Sequence, residues 1–277
     1  MPHRRTHALS SLVPLIGAIA LAGCVVAPAP AADAPVARRV VVLLPADALL
    51  LGEQHDAPEH QVLEREAVEA LAKRGELAAL ALEMAEEGRS TRQLPAGATE
   101  AQVQAALSWD DKAWSWNAYG PAVMAAVRAG VPVVGANLQR AHMRDAMADV
   151  SLDAQLSDDA RTAQQDAVRS GHCNLLPESQ IVPMTRIQIA RDRAMAQAIV
   201  KARVPGKTVL LVSGAGHADK TVGVPRHLPT DLSVKVVQMQ AGAPRGTGAA
   251  FDIAWSTPPV PEKDYCAELR PARRSEG

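Results

Sequence analysis

The sequence predicts an α/β domain, with a mostly parallel central sheet, helices on both faces and a site at the carboxyl ends of the strands. Three observations lead there. Short apolar runs of strand length recur along the chain, each ends in a polar residue, and the stretches between carry apolar positions at helical spacing. Buried parallel strands read as continuous apolar runs, and right-handed crossovers put the intervening helices on both faces. In open sheets of this kind, ligands bind in the crevice beyond the strand ends.

The first strand is Leu49-Leu50-Leu51-Gly52, leading directly into Glu53-Gln54-His55-Asp56. Strand side chains alternate, so Glu53 and His55 point the same way if the extended backbone continues through them. Pro58 suits the first turn of a helix that runs to Arg74, with Val62, Leu63, Glu66, Ala67, Ala70 and Leu71 spaced by three and four and Gly75 ending it. Upstream, Val40 to Leu44 is expected to be an edge strand or hairpin partner, its length limited by Pro45. The run Leu77–Leu82 ends in Glu83, Val131–Ala136 in Asn137, and Lys207–Ser213 in Gly214-Ala215-Gly216-His217. Leu232–Met239 is a later strand and Ala250–Ser256 a final one. Glu53, His55, Glu83, Asn137 and His217 are thus candidates for a single site.

Two local anomalies stand out. Aromatic residues make up 3% of the chain, yet Trp109, Trp114, Trp116 and Tyr119 fall within one short stretch. Such a cluster is either a satellite core or a flat apolar wall for a planar ligand. On the helix expected from Ile181 to Arg203, Met184, Ile187, Gln188, Arg191, Met195 and Ala198 share a stripe that should face the sheet. A guanidinium on that stripe must pair with a carboxylate such as Asp192 or look into a polar cavity, where it could clamp a ligand carboxylate or polarise a carbonyl. His172, in the loop before this helix, is either a surface histidine or a group viewing the cavity from its opposite wall.

The 277 residues, 48% hydrophobic and 21% charged, suffice for one globular domain, placed at residues 39–277. A net charge of −1 gives no general attraction to nucleic acid or anionic lipid. Residues 1–23 read as a signal peptide: Arg4 and Arg5 form a basic start, Ala8–Ala20 an apolar segment too short to span a bilayer, and Leu21-Ala22-Gly23-Cys24 closes it. That tetrapeptide resembles a bacterial lipobox, implying lipid attachment to Cys24. Residues 24–38, rich in Pro and Ala, read as a tether. Val25 and Val26 lack the aspartate of an inner-membrane retention signal, so the expected location is the cell envelope, at the outer membrane. Of the remaining cysteines, Cys173 and Cys266 are expected to form a disulfide in an oxidising compartment; the alternative makes Cys173 a nucleophile or soft metal ligand.

These motifs, taken in order, resemble those of a known family. Leu51-Gly52-Glu53-Gln54-His55-Asp56-Ala57-Pro58-Glu59-His60, Leu82-Glu83-Met84, Trp116-Asn117-Ala118-Tyr119, Gly171-His172-Cys173, Ala190-Arg191-Asp192-Arg193 and Gly214-Ala215-Gly216-His217 look like the successive motifs of the ChaN-like haem-binding uptake lipoproteins of the Tiki superfamily. The resemblance runs from about residue 45 to 240. It implies haem binding and iron acquisition. The wider superfamily, with TraB/PrgY, Tiki proteins and erythromycin esterases, shares two Gly-x-x-His motifs with a Glu and an Arg between them. Tiki members are regarded as metal-dependent proteases.

Two functions follow. In one, a lipid-anchored domain captures haem, alone or between the protomers of a homodimer, with Tyr119 or a histidine such as His172 on the iron and Trp116 with its neighbours against the porphyrin. In the other, a metal-dependent hydrolase holds zinc or manganese on His55, Glu83 and His217, with Glu53 as general base and Arg191 as oxyanion stabiliser. No His-Glu-x-x-His is present, so the metal set would rest on residues distant in sequence.

Overall fold

The computed structural model describes residue 1 and residues 34–243 and 246–267. The expected signal segment beyond Met1, the lipidation site Cys24 and the tether as far as residue 33 lie outside the described residues. The described residues include six strands: β1 (Ala48–Glu53), β2 (Leu77–Glu86), β3 (Val133–Asn137), β4 (Thr208–Gly214), β5 (Val234–Ala241) and β6 (Ile253–Thr257). They form one sheet in the order β3-β2-β4-β1-β5-β6, and every neighbouring pair is parallel.

The helices are α1 (Val36–Val41), α2 (Pro58–Lys73), α3 (Glu100–Leu107), α4 (Trp116–Arg128), α5 (Met143–Ala148), α6 (Asp158–Gly171), α7 (Glu178–Ala202) and α8 (Ala215–Ala218). Strand alternation divides the core between the two faces. Leu49 and Leu51 pack with α1, α2 and α4, while Ala48 and Leu50 pack with α7. Leu49, Leu50 and Leu51 are fully buried, each contributing about 2 kcal/mol of transfer free energy.

The topology locates the crevice. β1 and β4 are neighbours paired from Ala48↔Val209 to Glu53↔Gly214. β1 leads through α2 towards β2, whereas β4 leads through α8 towards β5, on the other side of the sheet order. Connections that part in this way leave an opening above the two strand ends.

Two expectations are corrected. Val40–Leu44 is not a strand: Val36–Val41 is helical, with Val36 and Val40 buried and the Arg39 guanidinium 4.3 Å above the Trp255 ring. Packing against α2 outweighs the β-propensity of a valine run. On α7 the buried line runs through Ile181, Thr185, Ile189, Asp192, Met195 and Ile199. Asp192, not Arg191, occupies the core-facing position, while Met184, Gln188, Arg191 and Ala198 lie at its half-buried margin.

Candidate functional site

Glu53 ends β1 on the face covered by α2 and α4. Its Oε1 accepts from the Tyr119 hydroxyl at 2.7 Å and lies 2.8 Å from His55 Nδ1, while its Oε2 accepts from Gln61 Nε2 at 2.6 Å. Below it Glu64 is completely buried; burial, reinforced by the neighbouring Glu53 charge, pushes its pKa well up. His60, equally buried, accepts from Gln54 N–H at 3.0 Å through Nδ1 and so holds the turn that carries His55.

Glu83 leaves β2 on the opposite face, towards α7 and α8. Its Oε2 accepts from the Gly214 amide at 2.8 Å, and Asn137 Nδ2 donates to its backbone carbonyl at 2.8 Å. His217, on α8, sets Nε2 3.5 Å from Glu83 Oε1 and Nδ1 2.6 Å from Asp192 Oδ1. His55 reaches over the strand ends and sets Nε2 3.9 Å from Glu83 Oε2. Arg191 lines the adjoining cavity, of about 200 Å³, together with Glu83, Asn137, Trp114 and Arg140. Glu53, His55, Glu83, Asn137 and His217 are therefore gathered as strand-end reasoning expects, with Arg191 of α7 beside them.

The two Gly-x-x-His segments interlock. A Cβ on Gly214 would lie 2.9 Å from His55 Nε2, and one on Gly52 would lie 2.9 Å from Ala218 Cβ and 3.0 Å from Ala215 Cα. Each glycine vacates the space that the other segment fills. That is why both motifs need a residue without a side chain there.

Electrostatics follow from burial and pairing. Burial alone would raise the Glu83 pKa, but His217, His55, the Gly214 amide and Arg191 outweigh it and hold the pKa below the usual range. Burial likewise works against a charged His217, yet Glu83 and Asp192 lift its pKa to about 8. Asp192 is raised to about 6, chiefly by burial, with His217 opposing. His55 is raised because the Glu53 hydrogen bond and the Glu83 charge overcome its desolvation. Carboxylates and imidazoles thus alternate along the site, in the order Asp192, His217, Glu83, His55, Glu53, with the carboxylates buried and His55 exposed.

The aromatic cluster divides into wall and core. Trp114 is half-buried and meets the His55 ring at 4.9 Å, edge to face. Trp116 is 8% exposed, packs on Gly120 and donates its indole N–H to Glu100 at 2.9 Å. Trp114, rather than Trp116, therefore adjoins the site. Tyr119 is 3% exposed, burial beside Glu53 raises its pKa, and its hydroxyl donates to that carboxylate. His172 closes α6 with its Nδ1 2.8 Å from the Val168 carbonyl and has no part in the Glu83 contacts. Among the described residues, no group of His, Cys, Asp and Glu is arranged to hold a metal. His55, Glu83 and His217 are spaced as ion pairs instead, and the zinc or manganese site finds no support.

Sequence reasoning missed Asp192 as the partner of His217 and missed the polar line of α2. His60, Gln61 and Glu64 share one inward stripe with Ala67, Val68 and Leu71, and polar residues on an apolar stripe were the available signal.

Cys173 and Cys266 form a disulfide with Cα atoms 5.6 Å apart. Beside it the Tyr265 hydroxyl donates to the Asp56 carboxylate, one residue beyond His55.

An α/β domain with paired imidazoles and carboxylates at the edge of a parallel sheet is the class defined by this geometry. More particularly, the chain belongs to the haem-binding uptake family, ChaN, of the Tiki superfamily, whose family model matches residues 40–228. Among solved structures it is similar to that described as cofacial haem binding to ChaN of Campylobacter jejuni, at 24% identity, TM-score 0.63, covering 77% of this chain and 89% of that one. It is also similar to the type III effector HopBA1, at 15% identity and TM-score 0.52, covering 82% and 95%. Both likenesses show a shared fold. No curated protein matches the chain.

Proposed function

We propose that this protein binds haem on the rim of the strand-end crevice and serves haem or iron uptake from the cell envelope, anchored through a lipid on Cys24. Family membership supports haem as the ligand, and one observation supports the placement: the half-buried Trp114 ring lies against His55 at the mouth of the cluster of strand-end charges. The residues fit the group. Trp114 and Met143 offer apolar surface, and Arg140 and Arg191, lining the same cavity, offer guanidinium groups for the propionates. A cavity of about 200 Å³ lies below the roughly 300–1,000 Å³ usual for small-molecule pockets and does not enclose a porphyrin. One haem face would remain outside the protomer. The relative described with cofacial haem suggests how that face is covered, by a second haem in a homodimer.

The test is a haem titration of the chain lacking residues 1–24, followed by its Soret band. Saturable binding that Trp114→Ala weakens at least tenfold supports the reading; no Soret shift in the unmutated protein overturns it.

A second reading, hydrolysis of an ester or amide, is favoured by one observation. The Glu53–His55 and Asp192–His217 pairs are two oriented carboxylate–imidazole dyads on either side of Glu83, suited to general acid and base work. Turnover of chromogenic esters or peptides that His55→Ala abolishes would establish it, and absence of turnover across such panels would remove it.

A further inference from the structure

The inward face of α2 carries a polar group that the strand-end contacts leave without a task. Glu64 is wholly enclosed there, in line with Ala67, Val68 and Leu71 and beside the Glu53 carboxylate. Among the described residues no cation pairs with it, and neither of its oxygens meets a hydrogen-bond donor. A charge at that position would be buried, uncompensated and next to a second one, a state that enclosed acids escape by keeping their proton. Burial and the Glu53 charge both act on Glu64 in that direction. Glu53 offers the matching acceptor. A carboxylate has about four lone-pair sites, and three are taken here, by Tyr119 and His55 on Oε1 and by Gln61 on Oε2. The remaining site is on Oε2, the oxygen that Gln61 reaches from α2, and Glu64 follows Gln61 by one helical turn on the same face.

We propose that Glu64 is a positioning residue for His55: it holds a proton towards Glu53 Oε2, so that the two carboxyl groups share one proton and Glu53 is fixed in the orientation that receives His55 Nδ1–H. The effect reaches the rim through one contact. An ionised Glu53 only accepts, so the imidazole nitrogen 2.8 Å from it must carry hydrogen. The neutral His55 ring then keeps its lone pair on Nε2, the nitrogen that faces Glu83 across 3.9 Å. Nε2 is thereby offered as an acceptor or base and not as a donor. Its use on haem or on an ester rests on the function proposed above; the tautomer itself does not. Without Glu64, Glu53 loses the last of its donors and is freer to turn, and the Nδ1 contact loosens. A side chain that merely filled space would leave the imidazole proton where it was.

Two measurements on the full-length chain, without ligand, test this in the unmutated protein, Glu64→Gln and Glu64→Leu. Glutamine keeps a donor at the same place, and leucine fills a similar volume with none. The first is infrared absorption at about pH 7.5, above the value of about 6 for Asp192. The unmutated protein should show the carbonyl stretch of a protonated carboxyl that Glu64→Gln lacks, and no difference between the two overturns the proposal. The second is long-range nitrogen-15 NMR of the His55 ring at a pH where it is neutral. The ratio of the Nδ1–H to the Nε2–H form should be retained in Glu64→Gln and fall at least threefold in Glu64→Leu. An unchanged ratio in Glu64→Leu, or an equal fall in both variants, leaves Glu64 a structural residue and overturns the proposal. Glu64→Met replaces a leucine variant that does not fold. Haem is added last. If both signatures appear in a protein that gives no Soret shift, Glu64 positions His55 and haem as the ligand fails; a Soret shift without the signatures keeps haem and removes this role for Glu64.

Discussion

Glu53 and Glu83 leave the parallel sheet on opposite faces, and the His55 ring spans the edge between them, 2.8 Å from one and 3.9 Å from the other. The arrangement joins two helical layers through one imidazole. It also makes each charge dependent on its neighbours, which gives the predictions their direction.

Removing His217 leaves Glu83 and Asp192 as buried carboxylates without their shared cation. His217→Ala should destabilise the fold by roughly 3–5 kcal/mol, as for breaking a buried pair, measured by urea unfolding. A loss under about 1 kcal/mol would mean that the carboxylates find other compensation.

Stability should fall with rising pH in a defined window. The His217 pKa rises from 6.5 to about 8 on folding, so its contribution is complete below pH 6.5 and is lost as pH climbs through about 8. His55, also raised, acts in the same direction. Asp192 acts earlier: raised from 3.8 to about 6, it makes folding less favourable as pH rises between those values. Urea midpoints across pH 6 to 9 should therefore decline in the unmutated protein and flatten in His217→Gln.

The interlock is tested by two glycines on one turn. A Cβ on Gly214 would press on His55 Nε2 at 2.9 Å, whereas Gly216 has nothing within 4 Å. Gly214→Ala should displace His55 and weaken ligand binding at least tenfold. Gly216→Ala should bind as the unmutated protein does. Equal behaviour of the two variants in the haem titration would refute the interlock.

Trp114 and Trp116 should separate binding from stability. Trp116→Ala should cost about 3–5 kcal/mol, because it empties a buried site and unpairs Glu100, yet its folded fraction should still bind. Trp114→Ala should cost much less stability and more affinity. Thermal unfolding alongside the Soret titration distinguishes the two.

Much of this was legible in the sequence, for identifiable reasons. The sheet reveals itself because both of its faces are covered, which makes each strand an uninterrupted apolar run such as Leu49-Leu50-Leu51 ending at a polar residue. Glu53, His55, Glu83 and His217 could be assembled because the parallel topology brings all strand ends to one rim. Asp192 could not, because within Ala190-Arg191-Asp192-Arg193 a helical wheel turned by one position exchanges Arg for Asp on the core line. The helix at Val36–Val41 was hidden by local β-propensity, which only its contacts with α2 and Trp255 override. Trp114 was passed over for Trp116 because burial, which separates them, is a property of the packed chain.

The reciprocal fit of Gly52 and Gly214 bears on how the site comes into being. The two glycine-bearing ends meet only when the first strand is paired with the fourth, partners about 160 residues apart. A nascent chain released before β4 emerges would carry His55 and Glu83 but no functioning half-site. The site is thereby completed by long-range strand pairing and not by either turn alone.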